Sequence, residues 1–264
     1  MPITITDVDE TPNAWREAGE GPRVAVLLHG LGGSRIAWGP NLQVLAEAER
    51  VVAWDAPGYG ESSPVEIESF GGYADRAAAL IRRVSPDAPV DLVGTSFGGM
   101  IAQYVTHAHP ELVRSLTLIC TSPAFGLDGT DPVEWRNNRL KGLETFGTVA
   151  AAAPVILSSL AGPNAQHVVP EACEAMARIP MAGMLTSLSI LPSHDSRAIL
   201  PEITTPTLVL IGEDDDETPP SYSKAIVDLM PNATLVTIPG AGHLLNLEAP
   251  DAVNRAILQH WETT

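Results

Sequence analysis

Lysine is almost missing from this sequence: Lys141 and Lys224 stand alone among 264 residues, beside 13 arginines that are scattered apart from the adjacent Arg82 and Arg83. The formal charge is −17. A nucleic-acid footprint needs a basic face or stripe, so composition excludes that class of partner. Cysteine is scarce too. Cys120 and Cys173 lie far apart with no paired spacing, which argues against a disulfide framework and a cysteine-held zinc site. Two isolated thiols fit a reducing, cytoplasmic compartment. No window of about twenty residues is uniformly apolar, so no membrane span is expected. The opening stretch MPITITDVDETPN lacks the basic start and apolar run of a secretion signal. The phosphate-cradling patterns GxGxxG and GxxxxGK with a following Ser or Thr are absent, as is the zinc pair HExxH, so nothing calls for a cofactor or a metal.

What remains is the composition of a globular α/β protein, 45% hydrophobic and 18% charged. Ile3–Thr6 and Trp15–Glu17 suit a hairpin. Short apolar runs at Arg23–Leu28, Val51–Trp54, Val90–Val93 and Leu116–Cys120 read as strands. Helical spacing falls between them at Asn41–Ala48, Tyr73–Val84 and Phe97–His109. Strand, helix, strand with short loops implies parallel strands and right-handed crossovers. The alternation stops after the sixth strand. Residues 123–201 carry helical stretches only, at Pro132–Leu143, Phe146–Leu160, Pro170–Ala177 and Met181–Ile190. It resumes with Thr207–Ile211, Ser221–Met230, Thr234–Ile238 and Pro250–Trp261. The expected fold class is α/β, a doubly wound, mostly parallel sheet. Its core is 1–122 and 202–264, and 123–201 forms a helical lid over the crevice where such sheets bind ligands.

The stretch VDLVGTSFGGMIAQ places Ser96 where a strand becomes a helix. Gly94 and Gly98 have no Cβ, so neighbouring backbone can close on that corner. The hydroxyl then projects above the sheet edge, facing the first amides of the helix. This is a nucleophile elbow in its strand–turn–helix setting. A serine hydroxyl needs a base, and the base needs an orienting acid, here in the chain order Ser, acid, His. His243, in IPGAGH, directly follows a strand and is the expected base; His194 is the runner-up. The acid belongs on the preceding loop, GEDDDETPP, where spacing leaves Asp214, Asp215 and Asp216 open with Asp215 preferred. Oxyanion donors are expected from the Phe97 amide and from the Leu31 amide in HGLGG. His29 in that loop is expected to brace it, and Asp55 in DAPGYGES to serve a structural turn.

In their order HGLGG, DAPGYGES, GTSFGG, GEDDDETPP and PGAGH resemble the motifs of α/β-hydrolase fold proteins across nearly the whole chain. A finer resemblance is to 3-oxoadipate enol-lactonase-like hydrolases, carried by GTSFGGMIAQ, PTLVLIGEDDDETPP and PGAGHLLNLEAPDAVN. It implies that the aspartate three residues before the threonine of TPP is the acid, which falls on Asp215. It also implies a lid tryptophan followed by arginine. Trp135, Arg136 and Arg139 occupy that region with a different spacing, and their guanidinium groups would hold a substrate carboxylate. The lid holds five basic against seven acidic residues between 124 and 200, a poor funnel for a dianion. The reaction implied is hydrolysis of a small ester or lactone through an acyl-enzyme. The alternatives are a carbon–carbon bond hydrolase of a ring-cleavage product, which usually has a tryptophan where Leu244, Leu245 and Asn246 follow the histidine, or a slow-turnover small-molecule sensor. The partner expected is a small-molecule substrate, with no nucleic acid and no membrane; a homo-oligomer stays open.

Overall fold

A computed structural model describes residues 3–264. The strands are β1 (Ile5–Glu10), β2 (Asn13–Ala18), β3 (Val24–Leu28), β4 (Arg50–Asp55), β5 (Val90–Thr95), β6 (Val113–Ile119), β7 (Thr207–Gly212) and β8 (Ala233–Ile238). They form one eight-stranded sheet in the order β1-β2-β4-β3-β5-β6-β7-β8. β1 pairs with β2, and β2 with β4, in antiparallel fashion; every other pairing is parallel. The central strands β3, β5 and β7 are buried at every position. Strands covered on both faces have no solvent side, which is why β3 and β7 read as continuous apolar runs rather than alternating ones. β1 is exposed along most of its length, and its charged side chains blunt the sheet edge.

The helices are α1 (Gly39–Leu45), α2 (Phe70–Val84), α3 (Phe97–Ala108), α4 (Pro132–Phe146), α5 (Val149–Leu160), α6 (Val169–Met176), α7 (Met181–Ile190), α8 (Pro220–Leu229), α9 (Leu245–Glu248) and α10 (Pro250–Thr263). Leu42 of α1 and Val253, Ile257 and Trp261 of α10 pack one face of the sheet. Residues of α2 and α3, among them Tyr73, Leu80, Phe97 and Ile101, pack the other. Among the described residues no helix is long and apolar enough to cross a membrane.

Four helices, α4 to α7, separate β6 from β7. The excursion leaves and returns at one neck, where Ala124 and Asp195 form an isolated antiparallel bridge. The Phe125 amide donates to the His194 carbonyl at 2.8 Å, and the Ser196 amide to the Pro123 carbonyl at 2.8 Å. α4 and α5 divide at a point the apolar spacing hides. Gly147 takes a left-handed φ of 76° and ends α4, and the Thr148 hydroxyl caps the start of α5. α7 is moored to the body through Ser187, whose hydroxyl lies 2.8 Å from both the Tyr59 and the Tyr73 phenol oxygens.

Candidate active site

The corner between β5 and α3 is strained. Ser96 sits at φ 50°, ψ −118°, a region that side chains rarely adopt. Hydrogen bonds to its backbone hold it there: the Ser96 amide donates to the Ile119 carbonyl at 2.8 Å, and the Thr121 hydroxyl donates to the Ser96 carbonyl at 2.8 Å. The flanking glycines are required by space. A Cβ on Gly94 would collide with the Gly98 carbonyl, and one on Gly98 with the Leu28 carbonyl. The half-buried Ser96 side chain therefore stands at the C-terminal edge of the sheet.

Residues far apart in sequence meet there. His243, in the loop after β8, places Nε2 3.0 Å from Ser96 Oγ. Its Nδ1 lies 2.9 Å and 3.1 Å from the two carboxylate oxygens of Asp215, in the loop after β7. Asp215 in turn accepts from the Glu217 amide at 3.0 Å and from the Thr218 amide and hydroxyl at 2.9 Å each. Asp214 and Asp216 are exposed, so of three adjacent aspartates only the middle one is buried. Burial works to raise the Asp215 carboxyl, but the charge and hydrogen bond of His243, with the Thr218 donors, outweigh it and hold the group below its ordinary range. Burial works to lower His243, yet Asp215 prevails, helped by Glu217 and Glu248, and the imidazole is raised. Nε2 is left to face the serine hydroxyl.

Leu31 lines the same cavity as Ser96, Phe97 follows the serine in the chain, and neither amide donates to another protein group among the described residues. Gly30 is packed so close that a Cβ there would lie 3.3 Å from the Ser96 Cβ. His29 is fully occupied. Its Nε2 accepts from the Ala56 amide at 3.0 Å, so Nδ1 carries the hydrogen and donates to the Gly30 carbonyl at 2.8 Å. Asp55 accepts the Arg35 and Glu61 amides at 2.8 Å and 3.0 Å and holds a turn. His194, the other candidate base, is buried at the neck with Nε2 2.8 Å from the Ser122 carbonyl, away from Ser96. Burial lowers it to about 4.

Ser96 and His243 open into a cavity of about 320 Å³ between the sheet edge and the inserted helices. Its walls are mostly aliphatic, with Leu143, Leu157, Leu160, Met176, Met184 and Leu188 supplied by the insert. Trp135 and Arg139 line it; Arg136 does not, and points to solvent. Arg139 is already engaged. Its guanidinium lies 3.0 Å and 3.3 Å from the two oxygens of Glu217 and 5.3 Å from the centre of the Trp135 ring. The expected pair of carboxylate-binding arginines is thus corrected to one arginine with a carboxylate already in place.

Two further groups were not apparent in the sequence. Glu248, on the four-residue α9, accepts the Gly242 amide at 2.6 Å and the Leu244 amide at 2.9 Å, on either side of His243. It also accepts the Gly162 amide at the end of α5, at 3.3 Å. An acid directly after the apolar run LLNL was the available signal. Cys120, at φ 45° and fully buried, packs behind the pair, and its ligand atom lies within 4.8 Å of those of Asp215 and His243. Those three donors could in principle hold a cation, but His243 and Asp215 are committed to each other. Burial and the Asp215 charge push the Cys120 thiol well up, away from the thiolate a metal needs.

The chain is similar to known proteins along most of its length. The chain is 30% identical over 263 residues to the pimeloyl-[acyl-carrier protein] methyl ester esterase of Chromobacterium violaceum, covering 93% of this chain and 96% of that protein. It is also 30% identical over 253 residues to the polyketide synthase ThaQ of Burkholderia thailandensis; this is 93% of the chain, which spans only 12% of that much longer protein. The solved enol-lactonase of Burkholderia xenovorans superposes with a TM-score of 0.84 at 19% identity, over 97% of this chain and all (100%) of that one, a likeness of fold. The alpha/beta hydrolase family model matches residues 25–256, and with it the strand–serine–helix corner and both loops that meet there: the chain belongs to the alpha/beta hydrolase family.

Proposed function

We propose that this protein is a serine hydrolase of small carboxylic esters or lactones, with Ser96 as nucleophile, His243 as general base and Asp215 as the acid that orients it. The observation that carries the reading is the unbroken hydrogen-bonded series from Asp215 through His243 to Ser96 at the floor of an apolar cavity. In the first half-reaction the Ser96 oxygen bonds to the substrate carbonyl carbon while His243 takes its proton. The carbonyl oxygen becomes an oxyanion held by the Leu31 and Phe97 amides, each worth about 3 kcal/mol to the transition state. The C–O bond to the leaving group breaks, and the imidazolium returns the proton to the departing alcohol or enol. In the second, His243 takes a proton from water, the hydroxide adds to the acyl carbon, and the acid leaves as Ser96 regains its hydrogen. In a lactone the leaving oxygen stays tethered to the acyl group.

Residues 123–201 act as the lid of this site, because they supply the wall opposite the serine. Names given to relatives, a methyl ester esterase and an enol-lactonase, agree with ester chemistry. Two free thiols suit a cytoplasmic setting. The experiment is turnover of 4-nitrophenyl butyrate with covalent labelling by a fluorophosphonate. Ser96→Ala should abolish labelling and cut kcat by at least roughly 10⁴-fold without moving the melting temperature. Retained turnover in that variant overturns the assignment.

A further inference from the structure

Among the described residues the cavity is lined by a single Arg or Lys, Arg139, and by three carboxylates, Asp128, Asp216 and Glu217. Arg139 cannot act as a free cation. Its Nη2 bridges both oxygens of Glu217, and its other flank lies against the Trp135 ring. Glu217 reaches it from the loop that also carries Asp215, so this ion pair joins core and insert at the cavity rim. Once that pair is cancelled, Asp128 and Asp216 leave the rim negative, and the walls behind are aliphatic. A carboxylate entering the cavity would lose its hydration, meet like charge and find no unpaired donor of positive charge.

We infer that the site selects esters and lactones whose acyl portion is uncharged, and that Glu217 sets this preference by masking Arg139. The inference rests on the serine-hydrolase reading for its chemistry, though not for its binding. Removing the mask has a definite consequence. In Glu217→Gln the guanidinium no longer faces a resident carboxylate and is open to an incoming one, which it can grip through two parallel N–H bonds.

The test uses two esters of equal length, 4-nitrophenyl hexanoate and mono-4-nitrophenyl adipate. With the parent protein, kcat/KM for the hexanoate should exceed that for the adipate by about 50-fold. In Glu217→Gln the ratio should narrow roughly five- to tenfold through a lower KM for the adipate, the scale of one partly screened charged contact. Adding Arg139→Met to that variant should restore the original ratio. An adipate ester handled within threefold of the hexanoate by the parent, or an unchanged ratio in Glu217→Gln, overturns the inference. A second arm needs no chemistry: binding of 2-heptanone and of heptanoate to the Ser96→Ala variant, followed by tryptophan fluorescence because Trp135 lines the cavity. Preference for the ketone there, with neither ester turned over by the parent, would overturn the hydrolase reading and leave the charge selection standing. Preference for heptanoate would overturn the charge selection alone.

Discussion

At one edge of the sheet Asp215 is buried beside an imidazole; at the other, Glu49 is buried beside a second carboxylate, Asp91. Both side chains are removed from water, and both have cations or donors at hand. Glu49 Oε1 lies 2.9 Å from Arg23 and 3.3 Å from Arg114, which also pairs with Asp91; Ser115 donates to Asp91 as well. Yet the outcomes differ. Asp215 faces a partner that can carry the complementary charge, so it stays ionised. Glu49 is pushed up to about 8 by burial first, then by the hydrogen bond and charge of Asp91, against which the two arginines pull. Two carboxyls in contact share a hydrogen bond only if one keeps its proton. The difference shows that burial alone does not assign a protonation state. The group across the contact does.

The largest expected effect removes the charge at the working edge. Asp215→Asn should lower kcat by about 10⁴-fold, because an amide no longer selects the tautomer that leaves Nε2 free to accept. Steady-state kinetics on 4-nitrophenyl butyrate read this, and a loss below tenfold would contradict the orienting role. Next comes Glu248→Gln. The glutamine side chain offers one acceptor where three amides now converge, so the His243 loop loosens and kcat should fall roughly 10- to 100-fold. Glu248 also helps raise His243, so the acid limb of the pH–rate profile should move to lower pH in this variant, a shift that looser packing alone would not give. Glu248→Asp should keep the limb in place.

A smaller effect needs no mutation. In the proposed mechanism the imidazole must be neutral to act as base, and Asp215 favours its charged form. Activity should therefore be lost as pH falls, and kcat/KM should rise through an apparent pKa above the ordinary histidine value of 6.5. A limb at or below that value would mean that Asp215 does not sustain the charge. The smallest effect belongs to the quiet edge. Folded Glu49 keeps a proton that the unfolded chain releases near its ordinary 4.5, so folding takes up a proton between there and about 8. Stability should decline as pH rises through that window. Differential scanning calorimetry should show the melting temperature falling from pH 5 to pH 8 in the parent, and a flatter line in Glu49→Gln with activity retained.

Much of this geometry could be anticipated from the chain, for particular physical reasons. β3 and β7 are buried on both faces and so announce themselves as unbroken apolar runs. Ser96 is marked by glycines that sterics impose, and His243 by its place directly after a strand. The acidic turn was less legible, because three adjacent aspartates differ only in burial, which no spacing reveals. α9 is too short to show a helical period, and Glu248 is hidden with it. The arginines failed for another reason: Arg139 is claimed by Glu217, 78 residues away in sequence, and pairing at that range leaves no local trace.

The shared hydroxyl of Ser187 has a mechanical corollary. Two tyrosines grip α7 at a buried point, whereas α4 buries only Leu143 and meets the body through a half-exposed ion pair. The inserted helices are thus hinged on one side and merely latched on the other. Breathing should run along α4, with amide exchange fastest over 132–146 and slowest over 181–190. Under the proposed function, the doorway for substrate would then lie past Trp135 rather than beneath Met184.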